Sequence, residues 1–197
     1  GRACFVCERD NNSRDVDVPH TCRLCPPNTP LDPAQPQQVL AHMAAHILFD
    51  PKVDRSAQPC GICLTPAPQC EFYLSTTGNT RVMTARTKCP NSVMHFRYSS
   101  AATSSESAPS SNVPINCTLC APATPAPWRY NFPYHFRDVH PTAPEDKYAA
   151  IWTLDSDELK NLRKVWLKIT KGVPIPKPRE SNRPALVLSE AHNSRLS

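Results

Sequence analysis

The sequence predicts small α+β modules, irregular and stapled by metal, followed by one amphipathic helix and a disordered basic tail. Three observations carry this. Proline occurs 23 times and glycine only 4 times in 197 residues. Proline removes backbone donors and fixes φ, so no long segment can build a large continuous core. Eight of the ten cysteines form four Cys-x-x-Cys pairs, Cys4/Cys7, Cys22/Cys25, Cys60/Cys63 and Cys117/Cys120, with histidines within reach. That spacing belongs to metal sites rather than to a disulfide framework. Modules below about 40 residues bury too little apolar surface to fold unaided and need such staples. Finger peptides draw about 10–16 kcal/mol from their metal, which is why they fold only with it.

The expected organisation follows the chain. Residues 1–19 hold a half-site knuckle, Cys4 and Cys7, whose partners are His20, residues upstream, or none. Residues 20–50 form a first finger, in which Asp32 followed by Pro33 suits a helix start and Val39, Leu40, Met43, Ile47 and Leu48 recur at helical spacing. His42 and His46, four apart, share one helix face and can close on one ion. With Cys22 and Cys25 they give Cys-x2-Cys-x16-His-x3-His. The rival set, Cys4, Cys7, Cys22 and Cys25, has zinc-ribbon spacing but strands both histidines. A cross-braced arrangement using His20, Cys60 and Cys63 finds seven ligands in order where eight are needed.

Residues 58–98 form a zinc-clamped β-hairpin, with "EFYLS" and "VMHFRY" as β-type runs and "TTGNT" as the turn between them. Cys60, Cys63 and Cys89 are its firm ligands. The fourth is Cys70 or His95. A spare thiol beside a zinc site is harder to account for than a strand-borne histidine, which favours Cys70. Residues 99–114, serine-rich and without apolar periodicity, are expected to be a linker or mobile loop.

Residues 115–141 hold a third finger, Cys117, Cys120, His135 and His140, with gaps of 2, 14 and 4. This spacing is the most specific motif in the chain. Phe132 stands where a finger needs its apolar core, and Trp128 is expected to cover the other side of the metal. Residues 153–171 are an amphipathic helix capped by Asp155 or Ser156 and stopped by Gly172. Leu159, Leu162, Val165, Trp166 and Ile169 make its apolar stripe, and Lys160, Arg163, Lys164 and Lys168 its polar one. Such a helix must dock on something. Residues 172–197 are a proline-rich basic tail.

The phrases "VLAHMAAHILFD", "CGICLTPAPQC", "NVPINCTLC" and "WRYNFPYHFRDVHP" occur here in this order. Over about residues 20–150 the chain resembles a group of Cys/His-rich zinc-finger proteins multiplied in mushroom-forming fungi. That resemblance implies zinc binding and, by analogy with other multiplied fingers, nuclear contact with nucleic acid. It also implies a ligand role for the equivalent of Cys70. Where the group often carries a cysteine before "NVP", this chain has Ser111.

Charge points to a polyanionic partner. The net charge is +5, and from Lys160 onward nine Lys or Arg face two acidic residues. Counting back from His135, base-reading positions of a finger fall on Trp128, Asn131 and Tyr134. Asn131 is a candidate for adenine and Arg129 and Arg137 for phosphates, with Lys160, Arg163, Lys164, Lys168 and Lys171 adding affinity. Pro133 must shorten or shift that finger's helix. The first finger's equivalents, Gln35, Gln38 and Ala41, offer little to a phosphate backbone. The expected function is therefore a zinc protein, with about three Zn ions, that associates with DNA or RNA in the nucleus or cytosol. The alternative is a protein-interaction module working through the amphipathic helix. No phosphate loop, His-Glu-x-x-His or nucleophile elbow is present, so no enzyme and no small-molecule substrate are expected. No apolar run is long enough for a membrane span, and thiol usage implies a reducing compartment.

Overall fold

The computed structural model describes residues 20–25, 29–75, 77–91 and 94–171. Cys4, Cys7 and the tail of residues 172–197 lie outside the described residues. Two short antiparallel ribbons pair β1 (His20–Thr21) with β2 (Pro30–Leu31) and β3 (Leu74–Ser75) with β4 (Arg81–Val82). The helices are α1 (Pro36–Phe49), α2 (Tyr98–Ala101), α3 (Phe132–Val139), α4 (Glu145–Tyr148) and α5 (Ser156–Thr170). None of the described helices is long and apolar enough to cross a membrane.

The start of α1 corrects the sequence expectation by one turn. In a helix capped by Asp32, the first i→i−4 bond would need an N–H at residue 36, and Pro36 has none. The helix begins at Pro36 instead, and Asp32 closes a preceding turn, its Oδ1 accepting from the Ala34 N–H at 2.8 Å. Pro133 acts in the same way. A 3₁₀ turn over Arg129–Asn131 precedes it, and α3 starts at Phe132 with the proline in its first turn. Asp155 caps α5, accepting from the Asp157 N–H at 3.2 Å.

The hairpin turns where "TTGNT" predicts, with Gly78 at φ +77, a conformation that glycine adopts at no steric cost. Its partner strand differs from the expectation. Leu74–Ser75 pairs with Arg81–Val82, and the ladder continues through Glu71 and Lys88, while residues 94–97 run irregularly into α2.

The modules do not stand apart. One apolar cluster joins Leu31, Val39, Leu40 and Met43 of the first unit to Ile62, Phe72 and Met94 of the second and to Val113 and Trp128 beyond. A second holds Ala41, Ala44 and Ile47 of α1 against Leu162 of α5 and against Tyr130. Helix α1 is consequently buried on every side from Val39 to Ile47 rather than along one stripe. Trp128 is also corrected: it packs edge-on against Phe72 (ring centroids 4.9 Å) and over Gly61, so it serves the second unit. The third unit is covered by Trp152, stacked on Phe132 at 5.7 Å and tilted against Phe136 at 5.3 Å.

The expected linker over 99–114 is in part a strut. Ser110, Ser111, Asn112 and Val113 are buried, and Pro114 pairs with Trp128. The serines are tolerated because distant groups satisfy them. Glu158 Oε1 accepts from the Ser111 N–H at 2.8 Å, from the Ser111 hydroxyl and from the Tyr130 hydroxyl. Burial and the neighbouring Glu158 charge push the Tyr130 phenol above its ordinary range.

Candidate metal centres

Three groups of four donors converge: Cys22, Cys25, His42 and His46; Cys60, Cys63, Cys70 and Cys89; and Cys117, Cys120, His135 and His140. Within each group all ligand atoms lie within 4.8 Å of one another. These are the sets the sequence spacing favours. Cys70 takes the fourth place of the second, and His95 stands exposed outside it. Each histidine pair is delivered by one helix, His42 and His46 by α1, and His135 and His140 by α3 and its C-cap.

The distances fit tetrahedral coordination. Bond lengths of about 2.3 Å to sulfur and 2.0–2.1 Å to nitrogen imply edges of about 3.8 Å for S···S and about 3.5 Å for S···N. The Sγ···Nε2 separations are 3.2–3.5 Å in the first centre and 3.2–3.4 Å in the third. In the second, Sγ···Sγ separations of 3.4, 3.8 and 3.9 Å bracket the expected edge.

The electrostatics favour a cation. Burial raises the Cys22 thiol, but hydrogen bonds from His42 and His46 outweigh it and bring Cys22 down to about 5. Burial and the Cys22 charge then push Cys25 up to about 12. In the second centre hydrogen bonds from Cys60 and Cys89 hold Cys63 at about 2, while burial drives Cys60 far upward. In each case forming one thiolate opposes the next, a like-charge crowding that a divalent ion relieves. Burial, then the nearby His140, lowers His135 and keeps it the neutral imidazole that a metal requires.

The first centre also has an outer shell that the spacing alone did not bring out. Asp50 Oδ2 lies 2.8 Å from His46 Nδ1, fixing the ring so that Nε2 faces the thiols. The signal was present, because Asp50 follows His46 by four residues, one helical turn. Trp166 of α5 meets the His46 ring edge-on at 5.3 Å, so α5 forms one wall of this centre. No such signal announced Glu158, whose partners are 28 and 47 residues away.

The predicted nucleic-acid contacts divide. Asn131 is fully buried, and its amide donates to the Pro59 carbonyl at 2.6 Å. Arg129 is consumed internally: Nε donates to the Ile151 carbonyl at 2.9 Å and its terminal nitrogens to Ser111 Oγ and the Thr153 carbonyl. Trp128 and Ala41 are buried as well. These corrections share one cause: the two finger helices face the common core that joins the modules. Arg137 stays exposed, 3.6 Å from Glu145 and over the Tyr134 ring. Lys160, Arg163, Lys164, Lys168 and Lys171 are exposed on α5 and at its C-cap.

No family model matches the chain, and neither a curated protein nor a solved structure matches it.

Proposed function

We propose that this chain is a zinc protein whose three ions staple one core, and that it binds nucleic acid by phosphate contact rather than by base reading. Zinc is supported by the donors: closed sets of thiolates and imidazoles are the ligands this ion takes in structural sites. Closed sets leave no position for substrate, which supports a structural role and argues against an enzyme. Membership of the fungal Cys/His-rich group is part of the same proposal and rests on the shared phrases.

The observation that carries the binding proposal is the outer side of α5. Its Leu162 side is docked on α1, and Lys160, Arg163, Lys164, Lys168 and Lys171 point outward. Among the described residues, none of these five lies within salt-bridge distance of a carboxylate. They extend over about 17 Å of helix at 1.5 Å per residue. That suits a phosphate backbone of DNA or RNA and supplies no pattern of donors for individual bases.

The test is a salt titration of the zinc-loaded full chain on random-sequence duplex DNA and on single-stranded RNA. Each phosphate contact contributes a slope of about −0.9 in log K against log salt on duplex DNA. Replacing Lys160, Lys164 and Lys168 by alanine should flatten that slope by up to about 2.7. The tail is present in both proteins, so the difference isolates α5. Equal slopes would overturn the assignment. Leu159 and Leu167, 39% and 45% exposed on α5, favour a second reading, a protein partner on this helix. Absence of any salt-dependent binding would select it.

A further inference from the structure

The second centre differs from the other two in composition and from the first in access. Its four donors are all thiols. Four thiolates around a divalent ion leave two negative charges uncompensated, whereas two thiolates with two neutral imidazoles leave none. Its sulfurs therefore carry the most electron density of the three sets, and the thiolate is the form that oxidants attack. Cys60 and Cys89 are buried, at 2% and 8% exposure, while Cys63 and Cys70 are only half-buried. The Sγ atoms of the accessible pair are 3.4 Å apart, against 3.8 and 3.9 Å for the contacts that Cys89 makes with Cys63 and Cys60. A disulfide needs about 2.05 Å, so an approach of roughly 1.4 Å closes it, between residues only seven positions apart. The first centre offers no such access, since Cys22 and Cys25 are buried. In the third, Cys117 and Cys120 are half-buried as well, but the contacts between donors at 3.2–3.4 Å are thiol to imidazole.

We propose that Cys63 and Cys70 are an oxidation site for hydrogen peroxide, and that their disulfide releases the ion of the second centre while the other two keep theirs. One thiolate of the pair attacks a peroxide oxygen. The O–O bond breaks, hydroxide leaves and the sulfur becomes a sulfenic acid. The second thiolate attacks that sulfur, the S–O bond breaks and a second hydroxide leaves. Two protons from solvent convert both hydroxides to water. The sulfurs lose two electrons and the peroxide gains them. Cys60 and Cys89 remain as two donors, too few to hold the ion. The inference rests on the four thiols forming one metal centre and does not depend on what α5 binds.

The experiment treats the zinc-loaded full chain with hydrogen peroxide and quenches it at intervals. Bound ions are counted by native mass spectrometry, and disulfides are mapped after thiol trapping. The starting count establishes whether the second centre holds an ion at all. The expected course is loss of one ion together with a Cys63–Cys70 linkage, the thiols of the other two centres remaining reduced. Cys70→His keeps four donors without the partner thiol and should lose its ion about an order of magnitude more slowly. If that variant does not bind the ion, the mapping on the unaltered chain decides alone. A first disulfide at Cys22–Cys25, Cys117–Cys120 or Cys60–Cys63 would overturn the proposal. So would equal rates of loss from the two proteins.

Discussion

Replacing Gly61 by alanine places a methyl group where the ring of Trp128 now lies. An ideal Cβ at this position stands 2.6 Å from Trp128 Cζ3 and 2.7 Å from Cδ2, against an optimum of about 3.5–4.0 Å between carbons. Neither side can give way readily. The indole is buried with Phe72 edge-on at 4.9 Å and Phe96 at 6.5 Å, and Arg129 N–H to Val113 O anchors its backbone. Gly61 itself follows Cys60 within the metal-binding knuckle. Its φ is not in the left-handed region, so the penalty comes from contact alone. Overpacking of this kind costs about 1–3 kcal/mol, while the reduced entropy of the unfolded chain returns about 0.4–1 kcal/mol. Contact wins, and a net loss of about 1–2 kcal/mol is expected. At about 2–4 °C per kcal/mol for a chain of this size, the Tm should fall by about 2–8 °C. Thermal unfolding at saturating zinc, followed by near-ultraviolet circular dichroism of the tryptophans, measures it. An unchanged or raised Tm would refute the close packing of Trp128 on the knuckle.

Asp50→Asn should weaken zinc at the first centre by about tenfold, because it removes the charged acceptor that orients His46. Competition against a chromophoric chelator measures the change, and equal affinity would contradict an orienting role for Asp50. Glu158→Ala should lower stability by about 2–5 kcal/mol, because it strands the Ser111 N–H, the Ser111 hydroxyl and the Tyr130 hydroxyl in a buried site. Glu158→Gln should recover part of this loss in the same thermal assay. Indistinguishable melting of the alanine variant would show that these three donors find other partners.

What the sequence revealed and what it hid divide along one physical line. Cys-x-x-Cys knuckles and His-x3-His on a helix are local patterns, and the three donor sets follow from them because a tetrahedral ion accepts few spacings. Cys70 over His95 was a chemical argument about a spare thiol, and the packing places the two residues as that argument expects. The effect of Pro133 was also legible, since a missing N–H acts within one turn. Pro36 acts by the same rule and stands in the first turn, although "DP" at Asp32 pointed to a start one turn earlier. Long-range partners were hidden. Proline frequency suggested independent modules, but Ile62, Leu40 and Trp128 meet across the units in one cluster. Serine density suggested a linker, but Ser111 is held by Glu158, 47 residues away. The finger template placed Asn131 at a base-reading position. That template assumes an exposed helix face, and here the core covers it.

The central claim is that the described residues hold three ions, one per donor set. Native mass spectrometry of the zinc-loaded full chain, compared with single-ligand variants, tests it most directly. Cys25→Ala, Cys70→Ala and Cys120→Ala should each remove one ion, and His95→Ala should remove none. Loss of an ion on changing His95, or an unchanged count on changing Cys70, would contradict the second centre as described. An unchanged count for either of the other cysteine variants would do the same for its own set.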